Sequence, residues 1–210
     1  ARGFVQEIDH PATEPAKYPG APFQLSDSEW IQSRAPLLGE HNHEIYTQRL
    51  DLSEEDLTRL ASQGIIYIGV MILNDSWLWG LRVLDMNQIR AGPKAARWLA
   101  DAGAEVIKVE SRVQMDGARR PPYAYENPET STVFNALNLN KQSIQLNLKR
   151  PEALELAYRL VAISDAVVEN MRPGVMDRLG LGYERLRQVN PTIVMASISN
   201  GGASGPEASY

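Results

Sequence analysis

The chain has 210 residues, of which 43% are hydrophobic and 22% charged, a composition typical of a water-soluble protein with one sizeable core or two small ones. The absence of cysteine excludes disulfide bonds, a thiolate nucleophile and a cysteine-based metal site. The longest apolar run, residues 65–73, is about half as long as a membrane-spanning helix must be, so we predict a cytoplasmic protein without a membrane span.

The net charge of −5 is unevenly distributed along the chain. Residues 1–80 contain 5 Lys or Arg and 12 Asp or Glu, whereas residues 81–210 contain 16 and 14, which gives −7 and +2. The second part is therefore the better host for an anionic ligand. A charge of +2, without a basic stripe and interleaved aromatics, argues against nucleic acid as a partner and leaves phosphates on a small molecule open.

The first 80 residues contain few predicted elements. A short strand is predicted at 4–8, and the prolines that follow it predict an extended, turn-rich segment. One helix is predicted near 40–50; a second begins at Ser53, whose spacing to Asp56 resembles a capping box, and ends at Gly64. We interpret residues 67–80, which are apolar and aromatic around an Asn-Asp-Ser turn, as a junction.

From residue 81 onward, predicted strands and helices alternate. A strand at 81–85, a helix at 93–102 and a strand at 104–109 form one βαβ unit, in which Pro93 suits a first helical turn and Gly103 suits the position after the last. The later predicted elements are a loop at 111–128, a short helix at 130–137, a strand at 143–147, a helix at 151–161, a strand at 165–168, helices near 174–179 and 183–189, and a strand at 192–197. This alternation predicts the α/β class, with a mainly parallel sheet covered on both faces.

The predicted strand ends indicate where a ligand would bind. In open parallel sheets, ligands bind beyond the carboxyl ends of the strands, which are followed here by residues 87–91 and by Ser111 and Arg112. The turn at residues 91–93 reads Ala-Gly-Pro rather than G-x-G-x-x-G, so a generic dinucleotide-binding domain is a weak alternative.

Five segments of the second part carry a family resemblance. They read VLDMNQIRAGP, LADAGAEVIKVE, LNLNKQSIQLNLK, DAVVENMRPGVMDRLGLGYERLRQVNP and IVMASIS. In order and spacing they resemble the amino-terminal half of the class III CoA-transferases, the CaiB/BaiF family that includes the formyl-CoA and carnitine CoA-transferases. The resemblance covers residues 81–210 and implies a Rossmann-like three-layer domain with a mainly parallel sheet.

Residues 1–66 resemble the carboxyl-terminal tail of the same family, through Asp9-His10-Pro11 and the segments at 18–23 and 34–41. The order of tail and head is therefore inverted. This order fits two fused copies, a circular permutation or an excised domain, and we favour a fused tandem because residues 67–80 do not read as a Gly/Ser linker. Because head and tail pack together in the family, the resemblance implies one domain assembled from both segments.

The resemblance also implies an activity. The family transfers CoA from an acyl-CoA donor to a carboxylic acid through acyl anhydride and aspartyl-CoA intermediates formed on an aspartate. That aspartate is expected beyond Tyr210, so no catalytic residue is assigned. Coenzyme A is the implied ligand and no metal is implied. The interlocked homodimers of the family imply a homodimer or, in a tandem protein, pairing of two repeats within one chain.

Coenzyme A carries a 3′-phosphate and a pyrophosphate, so its site needs guanidinium or ammonium groups and backbone donors. By position in the matching motifs, the resemblance implies the following contacts: Gln88, Ile89, Arg90 and Ala91 on the first CoA-contacting loop, Arg112 at the adenosine phosphate, Leu146 and Lys149 near the adenine, and Asn170, Met171 and Arg178 in the pantetheine and phosphate region. Arg90 departs from the neutral glutamine common in the family. Without the resemblance, each basic residue would be interpreted as a solvated surface charge.

Several other polar residues have a simpler interpretation. Arg119 and Arg120 are weaker ligand candidates, and Lys141 is at least as well suited to fix the turn before a strand. Glu169 is expected to hold the loop after its strand through hydrogen bonds. The spacing His41-x-His43 could suggest a metal pair, but no matching set of ligands accompanies it.

Two alternatives to a CoA-transferase stay open at this point. An α-methylacyl-CoA racemase shares the head motifs, and a histidine after an Ala-Gly pair beyond Tyr210 would favour it. A non-catalytic repeat, which binds CoA weakly or serves as a structural half of an assembly, would be favoured by loss of the aspartate in that segment.

Overall fold

The computed structural model describes residues 5–20, 32–66, 78–199, 201–202 and 204. It begins with a β-hairpin, in which β1 (Val5–His10) pairs antiparallel with β2 (Thr13–Pro19). The first strand was predicted at 4–8. The second was not predicted, because its prolines are turn signals. A two-stranded hairpin tolerates them, since the register shifts between Ile8 and His10, opposite the first proline, and the second proline lies at the end of the strand.

The helix predicted near 40–50 is shorter and changes type. An α-helical turn, α1 (Asn42–Glu44), continues as a π-helix at Ile45–Arg49, which buries the consecutive side chains of Ile45 and Tyr46 completely. The next helix, α2 (Glu54–Ser62), begins as predicted: the Ser53 hydroxyl accepts the N–H of Asp56 at 3.1 Å. Gly64 follows the helix with φ +68°, a conformation that favours glycine.

The second part contains every predicted helix and strand, with bounds that differ by no more than two residues. The elements are β3 (Arg82–Asp85), α3 (Ala91–Asp101), β4 (Glu105–Glu110), α4 (Thr132–Leu137), β5 (Gln142–Gln145), α5 (Pro151–Ala162), β6 (Ala166–Glu169), α6 (Val175–Arg178), α7 (Tyr183–Val189) and β7 (Val194–Ser197). Two short 3₁₀-helices that were not predicted lie at Gly117–Arg119 and Pro128–Thr130. Within the described ranges, no helix combines the length and the apolar character needed to cross a membrane.

The five strands β3 to β7 form one parallel sheet in the order β5-β4-β3-β6-β7. The predicted α/β class is therefore confirmed, as is the mainly parallel sheet. The chain builds outward from β3 in one direction and then, from β6, in the other. Loops on the two sides of such a reversal separate at the carboxyl ends of the strands and leave a crevice, as in Rossmann-like folds.

Helices cover both faces of the sheet. On one face, Leu84, Ile107 and Ile144 pack in a large apolar core with α5, α7 and the apolar residues of the π-helix and α2. On the other face, Val83 and Val106 pack against Ala96 and Ala100 of α3. The molecule therefore has three layers, and residues 45–66 share a core with the second part of the chain.

The segment before α1 also covers the edge of the sheet at β5. The N–H of His41 donates to the Ser143 carbonyl, and the N–H of Ser143 donates to His41 Nδ1, each at 3.1 Å. Two residues further along β5, the N–H of Gln145 donates to Asn42 Oδ1 at 2.9 Å. An open strand edge would be free to pair with another chain, and these bonds satisfy it internally.

Candidate functional site

The loops after β3 and β6 meet at the point where the strand order reverses. Asn170 joins them by two hydrogen bonds: its Oδ1 accepts the N–H of Gln88 at 2.7 Å, and its Nδ2 donates to the Gln88 carbonyl at 2.8 Å. These residues come from two different motifs of the sequence, 82 positions apart. The fold therefore brings together two of the predicted site residues at the position where α/β sheets bind ligands.

Ile89 has an unfavourable backbone conformation. Its φ is +69°, in the left-handed region that β-branched residues rarely adopt. Its N–H donates to Asp116 Oδ1 at 2.9 Å, and 44% of the residue is exposed to solvent. Gly117 faces it, and a Cβ there would lie 2.9 Å from Ile89 Cγ1. The loop is thus held in one strained conformation with an apolar side chain pointing outward, which is common at binding sites.

Arg90 and Ala91 are exposed at the start of α3. The guanidinium carbon of Arg90 lies 5.8 Å from the centre of the Tyr123 ring, so the cation is held over an aromatic face. A Cβ at Gly92 would lie 1.9 Å from Asn87 Oδ1, and only glycine lets the helix approach the loop so closely. The positive end of the α3 dipole and the Arg90 cation both favour an anion at this loop.

The other predicted cations lie on neighbouring loops. Arg112 follows β4, Lys149 follows β5 and Arg178 ends α6 after β6, and all three are exposed. Because carboxyl ends of parallel strands share one edge of a sheet, the three loops open at the same edge as the Gln88 loop. This edge carries the positive charge that a phosphorylated ligand requires.

Two predicted site residues, Leu146 and Met171, pack with the large apolar core. The Leu146 side chain is 1% exposed and belongs to the large apolar core, while its N–H donates to the Glu110 carbonyl at 2.8 Å. Met171 packs against the same core and donates its N–H to Glu169 Oε2 at 2.6 Å. Glu169 thus holds this loop through a hydrogen bond, as predicted.

Beneath the loops lies a set of buried charges that we call the buried ionic layer. Its members are Asp85, Lys108, Glu110, Asp116, Arg119 and Lys141. Lys141 Nζ lies 2.6 Å from Asp85 Oδ2 and also donates to the Pro93 carbonyl of α3 at 2.9 Å. Lys108 Nζ lies 3.0 Å from Asp116 Oδ2 and donates to the Asn87 carbonyl at 2.8 Å. Lys141 therefore joins the end of β3 to the start of α3.

Electrostatics keep these groups charged to different degrees. Burial lowers the pKa of Lys141, and although Asp85 opposes the effect, the pKa falls to about 8. Burial also lowers the pKa of Lys108, but Asp85 and Asp116 outweigh it and hold the pKa above its ordinary value. Burial raises the pKa of Asp116, yet Lys108 and the N–H groups of Ala118 and Ile89 bring it below its ordinary value. The Lys108–Asp116 pair is therefore an ion pair at neutral pH.

Arg119 completes the layer. It is 1% exposed; its guanidinium lies 3.0 Å from Glu110 Oε1 and 2.6 Å from Glu129 Oε2, and it stacks 3.5 Å from the centre of the Phe134 ring. No role is predicted from the sequence for Lys108, Glu110 or Asp116. For the first two a signal was present, because a charged residue inside an apolar parallel strand is expected to be buried and must be paired.

The histidines of the first part have structural contacts. His41 Nδ1 accepts a hydrogen bond from Ser143, and His43 Nε2 lies 2.8 Å from Glu54 Oε1. Among the described residues, no group of three or more His, Cys, Asp or Glu side chains could hold a metal ion. The cations, the backbone donors and the strained loop of the site suit an anionic ligand.

Comparison with known proteins supports this interpretation. Residues 78–210 match the model of CoA-transferase family III. The chain is 44% identical over 131 residues to a succinyl-CoA:glutarate CoA-transferase from Mus musculus, and 40% identical over 134 residues to a formyl-CoA:oxalate CoA-transferase from Streptomyces avermitilis. These matches cover 61% and 63% of this chain but 29% and 32% of the relatives, so the chain spans about a third of their length.

Solved structures show the same similarity. A CAIB/BAIF family protein from Brucella suis is 40% identical, with a TM-score of 0.59 over 65% of this chain and 36% of its own. A hypothetical protein from Mycobacterium tuberculosis is 39% identical, with a TM-score of 0.58 over 65% of this chain and 37% of its own.

Proposed function

Because the chain belongs to CoA-transferase family III, we propose that it is the CoA-binding part of an acyl-CoA:carboxylate CoA-transferase. The observation that carries the proposal is the junction of the Gln88 and Asn170 loops at the reversal of the strand order, surrounded by exposed cations. A linear ligand with phosphates at one end and a thiol at the other would cross this edge of the sheet. Positive charge would hold its phosphates, and polar loops would orient its pantetheine arm.

We assign the roles by loop. The first loop, Gln88, Ile89, Arg90 and Ala91, contacts CoA through its backbone N–H groups and the positive end of the α3 dipole. Arg112 binds the adenosine phosphate, and Lys149 lies near the adenine. Leu146 can contribute only backbone atoms, because its side chain is in the core.

A second group of contacts follows β6. We assign Asn170, Met171 and Arg178 to the pantetheine arm and the phosphates. Arg178 is exposed and Asn170 is already oriented by its two bonds to Gln88, so the loop needs little rearrangement to bind.

We propose that transfer follows the covalent route of the family. A carboxylate attacks the carbonyl of the acyl thioester and releases CoA as a thiolate, which leaves an acyl anhydride on the protein. The thiolate then attacks the carbonyl that belongs to the protein, forms an aspartyl-CoA thioester and releases the donor acid. The acceptor acid repeats the two steps in reverse and leaves as its CoA thioester. The aspartate is expected beyond Tyr210, and the residues of this chain hold and orient CoA.

The substrates and assembly follow from the same proposal. The named relatives act on succinyl-CoA with glutarate and on formyl-CoA with oxalate, so we propose an acyl-CoA donor and a free carboxylic acid acceptor for this protein. We also propose that it pairs as a homodimer or as two repeats of one tandem chain. The bonds from His41 and Asn42 to β5 support the pairing of a tail segment with a head segment. A cytoplasmic location stays a prediction from the sequence.

The test is calorimetric titration of the chain with CoA, 3′-dephospho-CoA and NADH. We expect CoA to bind most tightly, and Arg112→Ala to weaken it by 1–3 kcal/mol, roughly 5- to 150-fold, the usual range for a hydrogen bond to a charged group. Arg187→Ala, an exposed arginine of α7, is the matched control and should leave the affinity unchanged. A folded chain that binds no CoA would contradict the proposal and favour a structural repeat, whereas one that binds NADH equally well would contradict it and favour a generic dinucleotide-binding domain.

A further inference from the structure

The loop that follows β3 is held from below by one buried ion pair. Asp116 Oδ1 accepts the N–H groups of Ile89 at 2.9 Å and Ala118 at 2.8 Å. Lys108 Nζ contacts Asp116 Oδ2 at 3.0 Å and donates to the Asn87 carbonyl at 2.8 Å. The pair therefore holds the loop at two backbone groups, two residues apart.

Neither member of the pair can touch a ligand. Lys108 is completely buried and Asp116 is 2% exposed, whereas the loop they hold is open to solvent at Ile89 and Arg90. Their effect on binding must therefore pass through the backbone of the loop.

The conformation they hold is one that the loop would not keep by itself. Left-handed φ is unfavourable for isoleucine, and such residues persist only where their surroundings determine them. The Asp116 carboxylate supplies an acceptor for the Ile89 N–H in that conformation, and Gly117 leaves room for the side chain. Asn170 holds the loop at Gln88, but without the pair Ile89 would lose the acceptor that stabilises its left-handed conformation, and this part of the loop would have to be ordered again on binding.

We propose that Lys108 and Asp116 are positioning residues that preorganise the loop of Gln88 to Ala91 for CoA. The inference rests on the proposed function, because it takes CoA as the ligand of this loop. A ligand that meets a preformed loop does not lose affinity to ordering it, so the pair raises the affinity for CoA without a contact of its own.

The test compares four proteins by calorimetric titration with CoA: the unchanged chain, Asp116→Ala, Asp116→Asn and Asp101→Ala. Asp116→Ala should weaken CoA binding about ten-fold or more, because the Ile89 and Ala118 N–H groups lose their acceptor. Asp116→Asn keeps an oxygen for the Ile89 and Ala118 N–H groups but removes the counter-charge of Lys108, so it should recover only part of the affinity. Asp101 is a buried, ion-paired carboxylate at the far end of α3, and its loss should change CoA affinity less than about two-fold.

A second variant tests the loop without touching the charges. A Cβ on Gly117 would approach Ile89 Cγ1 to 2.9 Å, so Gly117→Ala should displace the loop and weaken CoA binding. In an Ile89→Gly background the obstructing atoms are gone, and the same substitution should cost much less. A purely structural effect of Gly117→Ala would be the same in both backgrounds.

The outcomes separate the two proposals. If the unchanged chain binds no CoA, both fail. If it binds CoA, and folded Asp116→Ala binds it equally well, only the positioning role is overturned. If Asp116→Ala does not fold, unchanged CoA affinity in Gly117→Ala would overturn it instead.

Discussion

The two faces of the parallel sheet differ in chemistry, although the same strands build both. Successive residues of β3 and β4 alternate between them: Leu84 and Ile107 enter the apolar core, whereas Asp85 and Lys108 enter the buried ionic layer. Parallel sheets covered by helices are ordinarily apolar on both faces. Here one face carries buried charges, and they lie near the strand ends where the predicted CoA loops begin. We therefore distinguish an apolar face, which stabilises the fold, from an ionic face, which positions the loops of the site.

Magnitudes support this division. Burying apolar surface stabilises a protein by about 25 cal/mol per Å², so the apolar face contributes directly to stability. A buried ion pair contributes little net stability, because the cost of removing two charges from water offsets their attraction. Such a pair instead favours a single geometry, because displacing either partner leaves a buried charge unpaired. The buried ionic layer is therefore better suited to fixing loops than to raising the free energy of unfolding.

The largest expected effect comes from breaking the ionic layer at one residue. Arg119→Met removes the partner of Glu110 and Glu129 while retaining much of the side-chain volume, and we expect a loss of about 3–5 kcal/mol in the free energy of unfolding. Urea denaturation measures it. Arg59→Met removes an exposed pair with Asp56 and should cost less than about 1 kcal/mol. A loss for Arg119→Met as small as for Arg59→Met would show that the layer is not tightly coupled.

A variant on the apolar face should separate stability from binding. Ile144 is completely buried in β5, and Ile144→Ala should lower the free energy of unfolding by about 3 kcal/mol through lost burial and a cavity. Under conditions where the variant stays folded, its CoA affinity should equal that of the unchanged chain, because Ile144 lies in the apolar core and is not one of the predicted CoA contacts. A drop in CoA affinity comparable to that expected for Asp116→Ala would contradict the claim that only the ionic face positions the loops of the site.

The sequence was sufficient for the α/β architecture of the second part of the chain, whereas the assignment of its loops to CoA stays a prediction. Hydrophobic periodicity and the positions of glycine and proline located the strands from residue 81 onward. The family motifs assigned both Gln88 and Asn170 to the CoA site, and the structure joins these two residues by hydrogen bonds. Prediction was poorer where tertiary contacts override local signals. The hairpin strand β2 contains two prolines, and the π-helix buries Ile45 and Tyr46 together, which local propensity does not anticipate.

The buried charges were missed for a different reason. A single sequence shows that Lys108 and Asp116 are charged, but their pairing depends on a loop that returns across the end of β4. Leu146 was predicted from its motif to lie near the adenine, but its side chain is buried in the large apolar core. Both the pairing of buried charges and the burial of a motif residue can be assigned only when the strand register is known.

The smallest expected effect is a pH dependence of the free energy of unfolding, which arises from Asp101 at the far end of α3. Burial raises the pKa of Asp101 from 3.8 to about 6, and Arg97 opposes that rise. The folded state therefore binds a proton in this range that the unfolded state has lost, so the stability that Asp101 contributes is present below pH 4 and is lost as pH rises through 6. Asp101→Asn resembles the protonated form, and its free energy of unfolding relative to the unchanged chain should rise between pH 4 and 6 by about 2 kcal/mol. Urea denaturation across this range measures the difference, and Arg97→Met should move the window to higher pH, since it removes the opposing cation. A difference that stays flat from pH 4 to 7 would mean that Asp101 is solvated in the folded state, and that the ionic face ends before the far end of α3.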